Sequence, residues 1–268
     1  MAFALGARAA AAGYRLTAFD SIGSTNAEAL IEARAGAPGR AWYVTDDQTA
    51  GRGRRNRTWS APAGNLASSV LEMMQVQPVI AATLGFVAGL AIHRALAEAL
   101  ADAASHRIKL KWPNDVLAGD AKLVGILLEA ETLASGELAV VAGIGTNIVA
   151  SPTDTPYAAT SLAGLGAQTD AAAVFAGLSD AWTDYFDQWD GGRGFPDIRE
   201  QWLNRAAGIG GPVSVHGGGR TVDGTFETID NTGCMIIATS DGRRVPVAAG
   251  EVFFGDAASR KEQHNGAS

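Results

Sequence analysis

The chain has 268 residues, 47% of them hydrophobic and 18% charged. Against a typical domain of about 100 to 200 residues this predicts one large domain or one large and one small, and the composition excludes disorder and coiled coil. The formal charge of -7 argues against an overall electrostatic grip on nucleic acid, and one cysteine with four scattered histidines implies a reducing compartment and no structural zinc.

Neither export nor a membrane span is expected. Ala9 to Ala12 resemble a cleavage site, but Arg8 interrupts the apolar stretch and no positive region precedes it. The uncharged run Met73 to Ile92 is broken by Gln75, Gln77 and Pro78, which leaves Val79 to Ile92, the length of a buried helix.

Tyr14 to Phe19 alternates like a strand. Ser24-Thr25-Asn26-Ala27-Glu28 then supplies an N-cap with an acid three residues after Thr25, so a helix is predicted from about Asn26 to Ala35, ended by Gly36. Trp42 to Thr45 and Leu66 to Met73 read as strands around a polar loop, Gln48 to Ser60. Val79 to Leu100 has helical apolar spacing. Three apolar runs, Ile108 to Trp112, Leu123 to Leu128 and Leu138 to Ile144, are separated by the turn clusters Pro113-Asn114-Asp115 and Ala118-Gly119-Asp120. They read as neighbouring central strands of one sheet. Helices are predicted over Asp170 to Trp189 and Asp197 to Ala206, and the order of elements predicts an α+β fold, a sheet covered by helices.

Beyond Ala207 the texture changes. Val213 to Val215, Thr221 to Ile229, Met235 to Thr239 and Val245 to Val247 are β-like runs divided by glycine-rich turns, as in a small antiparallel barrel. Such a barrel is too small for a large core of its own and is expected to dock on the first domain. Residues 257–268 read as a flexible polar tail.

The most informative segment is Gly51-Arg52-Gly53-Arg54-Arg55-Asn56-Arg57-Thr58-Trp59. Arginines offer planar, permanent donors for phosphate or carboxylate oxygens, and glycines let backbone N–H groups approach them. Asn56 stands where a dinucleotide fingerprint needs glycine, and no Gly-Lys-Ser/Thr follows, so a P-loop is excluded. By itself the segment fits an anion clamp, a solvated loop or a nucleic-acid patch. Lysine is rare, four against seventeen arginines, yet Lys109, Lys111 and Lys122 fall close together, with Asp115 between the last two. An ammonium and a carboxylate at adjacent strand ends can serve a phosphoryl centre, although a surface ion pair fits the spacing as well. Gly143-Ile144-Gly145-Thr146-Asn147 reads by itself as a strand with close backbone packing.

In combination these segments resemble the biotin–protein ligases. Ser24-Thr25-Asn26, Gln48 to Trp59, Lys111-Trp112-Pro113-Asn114-Asp115, Lys122 to Glu129 and Gly143 to Asn147 occur in that family's order. The resemblance implies a mixed sheet covered by helices (residues 1–207), an SH3-like β-barrel (208–256) and the tail. It implies that Ser24, Thr25 and Gln48 hydrogen-bond the biotin ureido ring, groups suited to a neutral urea. By the same resemblance Asn26, Gly51, Arg52, Gly53, Gly125 and Gly145 belong to the substrate site. Arg54 and Arg57 hold phosphate charge, Trp59 meets adenine, and Lys111, Asn114 and Asn147 belong to the nucleotide site. Lys122 lies beside the biotin carboxylate and α-phosphate, and Asp115 is the essential aspartate, so Lys122, Asp115 and Arg54 are the catalytic candidates. Asn56 replaces the glycine commonest at its place, and asparagine tolerates left-handed backbone better than most residues.

The implied reaction joins biotin and ATP, with Mg²⁺, into biotinyl-5′-AMP, under a loop that excludes water, and passes biotin to a lysine of a carboxylase's biotin carboxyl carrier domain. No residue is assigned to a metal. About twenty residues precede the Ser-Thr-Asn motif, too few for the DNA-binding domain of some relatives, so no DNA binding is expected. A cytoplasmic monomer or weak homodimer is expected. Two rivals remain: a lipoate or octanoate ligase of the same fold, which generally lacks the full arginine loop, and a non-catalytic RNA- or protein-binding module, which the acidic charge disfavours. His93 and His216 are expected to be structural, Cys234 a small core residue, and Trp182, Tyr185, Phe186 and Trp189 helix packing.

Overall fold

The computed structural model describes residues 2–100, 107–153 and 155–255; the expected tail, His106 and His264 lie outside them. After a short helix α1 (Ala7–Ala11), strand β1 (Arg15–Ala18) leads into α2 (Thr25–Arg34). Ser24 caps α2, accepting from Ala27 N at 3.4 Å, and Gly36 ends the turn beyond it at φ 93°. Strands β2 (Ala41–Thr45) and β3 (Leu66–Met74) flank the arginine loop, followed by helices α3 (Pro78–Ala81) and α4 (Leu84–Ala99). Strands β4 (Ile108–Lys111), β5 (Asp115–Ala118), β6 (Ala121–Thr132) and β7 (Leu138–Thr146) follow, then α5 (Ala171–Trp189) and α6 (Phe195–Leu203).

These seven strands form one sheet in the order β1-β2-β3-β7-β6-β5-β4. Only β1 and β2 run parallel, so the sheet is mixed. The apolar runs after α4 are not all central: β6 and β7 are, but Ile108–Lys111 is the edge strand, because the short strand Asp115–Ala118 pairs between it and β6. Two tight turns four residues apart leave room for a strand too short to show as an apolar run.

The strand period of two sends alternate side chains to opposite layers. Trp42, Val44 and Val70 join the large core with α4 and α5, whereas Ala41, Tyr43, Leu71 and Val141 pack under Ala29, Leu30 and Ala33 of α2. Trp182, Phe186 and Trp189 stack along α5 at 5.8 Å spacings, so the aromatic series is packing, as predicted. Pro78–Ala99 has the length and hydropathy of a membrane span, yet 67% of its most apolar stretch is buried inside the protein. His93 is half-buried, its imidazole pushed down to about 4 by desolvation, with Nε2 3.3 Å from Ile108 O.

A second sheet of five antiparallel strands follows, β8 (Pro212–Gly217), β9 (Arg220–Ile229), β10 (Met235–Ala238), β11 (Arg244–Val247) and β12 (Glu251–Phe254), in the order β11-β10-β9-β8-β12. Its last strand, unforeseen from the sequence, pairs with β8. It docks on the first part of the chain as expected: Trp112 Nε1, just beyond β4, donates to Gly233 O at 3.1 Å, and Arg199 Nη1 of α6 to Ile229 O at 2.9 Å. Cys234 is half-buried at the Asp230 turn rather than in the core, since Asp230 Oδ1 holds its N–H at 2.9 Å.

Candidate active site

On the face of the large sheet covered by α2, cross-strand register builds a row of small residues: Ala67 opposite Gly145, Gly145 opposite Gly125, and Gly125 opposite Asp115. Helix α2 covers only part of this face. The rest is the floor of a cavity of about 1150 Å³. The two glycines matter because Trp59 lies flat on them. A Cβ on Gly125 would come within 2.7 Å of the indole, and one on Gly145 within 2.5 Å.

The closed end is a chain of neutral polar groups. Gln48 Oε1 accepts from Thr25 N at 2.9 Å and Thr25 Oγ1 at 3.2 Å. Ser69 Oγ lies 2.7 Å from Thr25 Oγ1 and donates to Asn26 Oδ1 at 2.6 Å. The Asn26 amide in turn donates to Glu129 Oε2 at 2.8 Å, and Arg52 reaches the same oxygen at 2.9 Å. Asn26 and Arg52 are therefore bonded to the chain's own groups, and they border the cavity together with Ser24, Thr25 and Gln48. Gly51 is needed for closeness: a Cβ there would sit 2.7 Å from Gln48 Nε2.

The open end is cationic. The arginine loop doubles back on itself, Gly53 N donating to Arg57 O at 2.7 Å and Trp59 N to Gly51 O at 2.9 Å. Its left-handed residue is Arg55, at φ 55°, rather than the neighbouring Asn56. The four arginines part company. Arg52 pairs with Glu129, Arg57 makes a double bond pair with Glu251 of β12 at 2.8 and 3.0 Å, and Arg55 reaches His216 O at 3.5 Å. Among the described residues Arg54 has only a neutral hydrogen-bond partner, Asn114 Oδ1 at 3.0 Å. Burial, then the Arg55 charge beside it, pulls the Arg54 guanidinium below its usual value. Lys111, its Nζ 5.4 Å from the Phe254 ring centre, has no ion-pair partner among the described residues, and burial lowers it too. Glu251, by contrast, is held below the usual carboxylate range by the bonds from Arg57.

Lys122 Nζ lies 2.7 Å from Asp115 Oδ1, an oxygen sealed from solvent, in an ion pair without the alignment of a hydrogen bond. Asn114 belongs to the scaffold as well as the cavity, since its Nδ2 donates to Ile126 O at 2.7 Å. Asn147 is buried outside the lining, where its Nδ2 donates to Thr160 O at 3.0 Å. Sequence reasoning passed over Ser69, Glu129, Tyr157, Glu251 and Phe253, and it took His216 as structural although it borders the cavity. Only Glu129 carried a signal, as the last residue of a recognised motif.

Residues 20–147 match the biotin/lipoate A/B protein ligase family, and residues 208–255 match the biotin protein ligase C-terminal domain. The chain is 41% identical to the biotin–[acetyl-CoA-carboxylase] ligase of Paracoccus denitrificans over 87% of its own length and 97% of the relative's. It belongs to the biotin–protein ligase family. A ligase of the same description from Mycobacterium tuberculosis is 35% identical over 91% of this chain and 90% of the relative. The fold is that of the biotin protein ligase from Aquifex aeolicus solved in complex with biotin and ATP (TM-score 0.74, 24% identity, 90% of this chain and 99% of that one). In ligase-family terms the mixed sheet and the antiparallel five-stranded sheet are the catalytic and C-terminal parts of the fold.

Proposed function

We propose that this chain activates biotin as biotinyl-5′-AMP and transfers it to a lysine of a biotin carboxyl carrier domain. The observation that carries the reading is the pairing, in one cavity, of a neutral hydrogen-bonding end with two cations that have no ion-paired carboxylate among the described residues, Arg54 and Lys111. A urea and an aliphatic chain fit the first end, and phosphate oxygens relieve the second.

In the first step biotin's carboxylate oxygen attacks the α-phosphorus of ATP and pyrophosphate leaves. Gln48, Thr25 and Ser24 orient the ureido ring, and Trp59, seated on the glycine floor, meets the adenine. Lys122 and Arg54 neutralise the two anions that must meet. Mg²⁺ would be held with the nucleotide's phosphates, whose charge it would help neutralise; among the described residues no three metal-ligating side chains converge. In the second step the acceptor's neutral amine attacks the acyl carbon, AMP leaves, and Asp115 orients that amine. The domain division at residues 207/208, a cytoplasmic setting, a monomer or weak homodimer and independence of DNA complete the proposal.

Biotin-dependent exchange of pyrophosphate into ATP tests the first step. The reading requires exchange with biotin and its marked but still measurable slowing in Lys122→Gln; exchange with lipoate alone would make the chain a lipoate ligase, and none with either would remove the enzymatic reading. With preformed adenylate, Asp115→Asn is expected to slow transfer to the carrier by at least about 100-fold, the lower bound for positioned acid–base groups. Normal transfer would take Asp115 out of the second step.

A further inference from the structure

Thr155, Pro156, Tyr157 and Ala158 belong to none of the recognised motifs, yet they form a wall of the cavity. Its main chain runs beside the start of β6: Lys122 N donates to Ala158 O at 2.8 Å, and Thr160 N to Lys122 O at 2.9 Å. These bonds bring the Tyr157 ring to the ammonium of Lys122, whose Nζ lies 5.3 Å from that ring centre and 5.4 Å from the ring centre of Trp59. Asp115 occupies a third side at 2.7 Å. The Lys122 side chain is only 17% exposed, whereas Tyr157 is 42% exposed, a large aromatic kept at the mouth.

We infer that Tyr157 is a positioning residue for Lys122. Trp59 and Tyr157 are not equivalent: Trp59 is carried by the arginine loop, whereas Tyr157 belongs to a wall whose main chain is bonded to Lys122 itself. Tyr157 is therefore the ring fixed to the same strand as the ammonium, and it keeps that ammonium aimed at the cavity. A ring face attracts a cation without cancelling its charge. A second carboxylate in that place would neutralise the charge that biotin's carboxylate and the α-phosphate need. The inference rests on the ligase reading, through the role of Lys122.

The test uses Y157F and Y157L, in the wild-type and K122Q backgrounds, by biotin-dependent pyrophosphate exchange. Y157F, which keeps the ring, is expected to match wild type. Y157L is expected to lower kcat about five-fold, the scale of one cation–π contact, with KM for biotin nearly unchanged. In the K122Q background Y157L should add no further loss. A second readout is independent of activity: after reductive methylation with ¹³C-formaldehyde, the Lys122 resonance, identified by its absence in K122Q, should move downfield in Y157L and not in Y157F as one ring current is removed. Should Y157L melt at a lower temperature than wild type, Y157M replaces it. Wild-type kcat in Y157L, an equal loss in the K122Q background, or an unmoved resonance would each overturn the inference. Absence of exchange in the wild type would instead sink the ligase reading, and the resonance would still judge the contact.

Discussion

Glu72 offers a test of the fold's electrostatics that is separate from catalysis. It lies on β3 at 3% exposure, with Tyr14 OH donating to its Oε1 at 2.6 Å and Trp182 Nε1 at 3.1 Å. Burial pushes its carboxyl from the ordinary 4.5 up to about 7, against the opposing pull of those two donors. A carboxyl raised on folding contributes stability that is complete below its unfolded value and lost as pH rises through its folded one. At about 1.4 kcal/mol per pH unit, this group accounts for a fall of about 2.5 kcal/mol between pH 5 and pH 8. Glu72→Gln removes that dependence while keeping an acceptor for Tyr14 and Trp182. The amide's buried N–H group needs an acceptor of its own, and its absence would cost about 1–3 kcal/mol at every pH. Urea unfolding of both proteins across this range is the assay: the stability gap must close by about 2.5 kcal/mol as pH rises. Parallel curves would refute the reasoning and place the ionised carboxylate in the native state throughout.

Three further outcomes follow from the site. Arg54→Ala removes a half-buried cation crowded by Arg55 and bonded to a neutral amide. It should raise KM for ATP at least about ten-fold, as expected for a charge-assisted phosphate contact, while the melting temperature stays at or above wild type. Gly125→Ala puts a methyl within 2.7 Å of the Trp59 ring, and the strain of about 1–3 kcal/mol should appear as weaker biotin binding by calorimetry. Glu251→Gln breaks the double bond pair to Arg57 across the two sheets. Both partners are substantially exposed, so global stability should drop by no more than about 1 kcal/mol, whereas tryptic cleavage within residues 51–60 should quicken several-fold.

Much of the site was legible because its motifs are local: a cap and its helix, an arginine loop, strand ends bearing Lys122 and Asp115. Cross-strand register then does what spacing along the chain cannot express. Gly125 and Gly145 are recognisable as motif glycines, but that they face each other beneath Trp59 follows only from the β6–β7 pairing. The loop arginines looked alike in sequence, and their partners separate them. Glu129 and Glu251 lie 77 and 194 residues from Arg52 and Arg57, in strands with no charge pattern to announce them. Tyr157 was invisible for the same reason, since its approach to Lys122 depends on main-chain bonds rather than on residue type. Strand β5 escaped because the residues on either side spell turns.

The bonds that tie residue 122 to 158 and 160 are all backbone. Exchanging the lysine's side chain leaves that seam stitched, so damage at this position is damage to charge and not to shape.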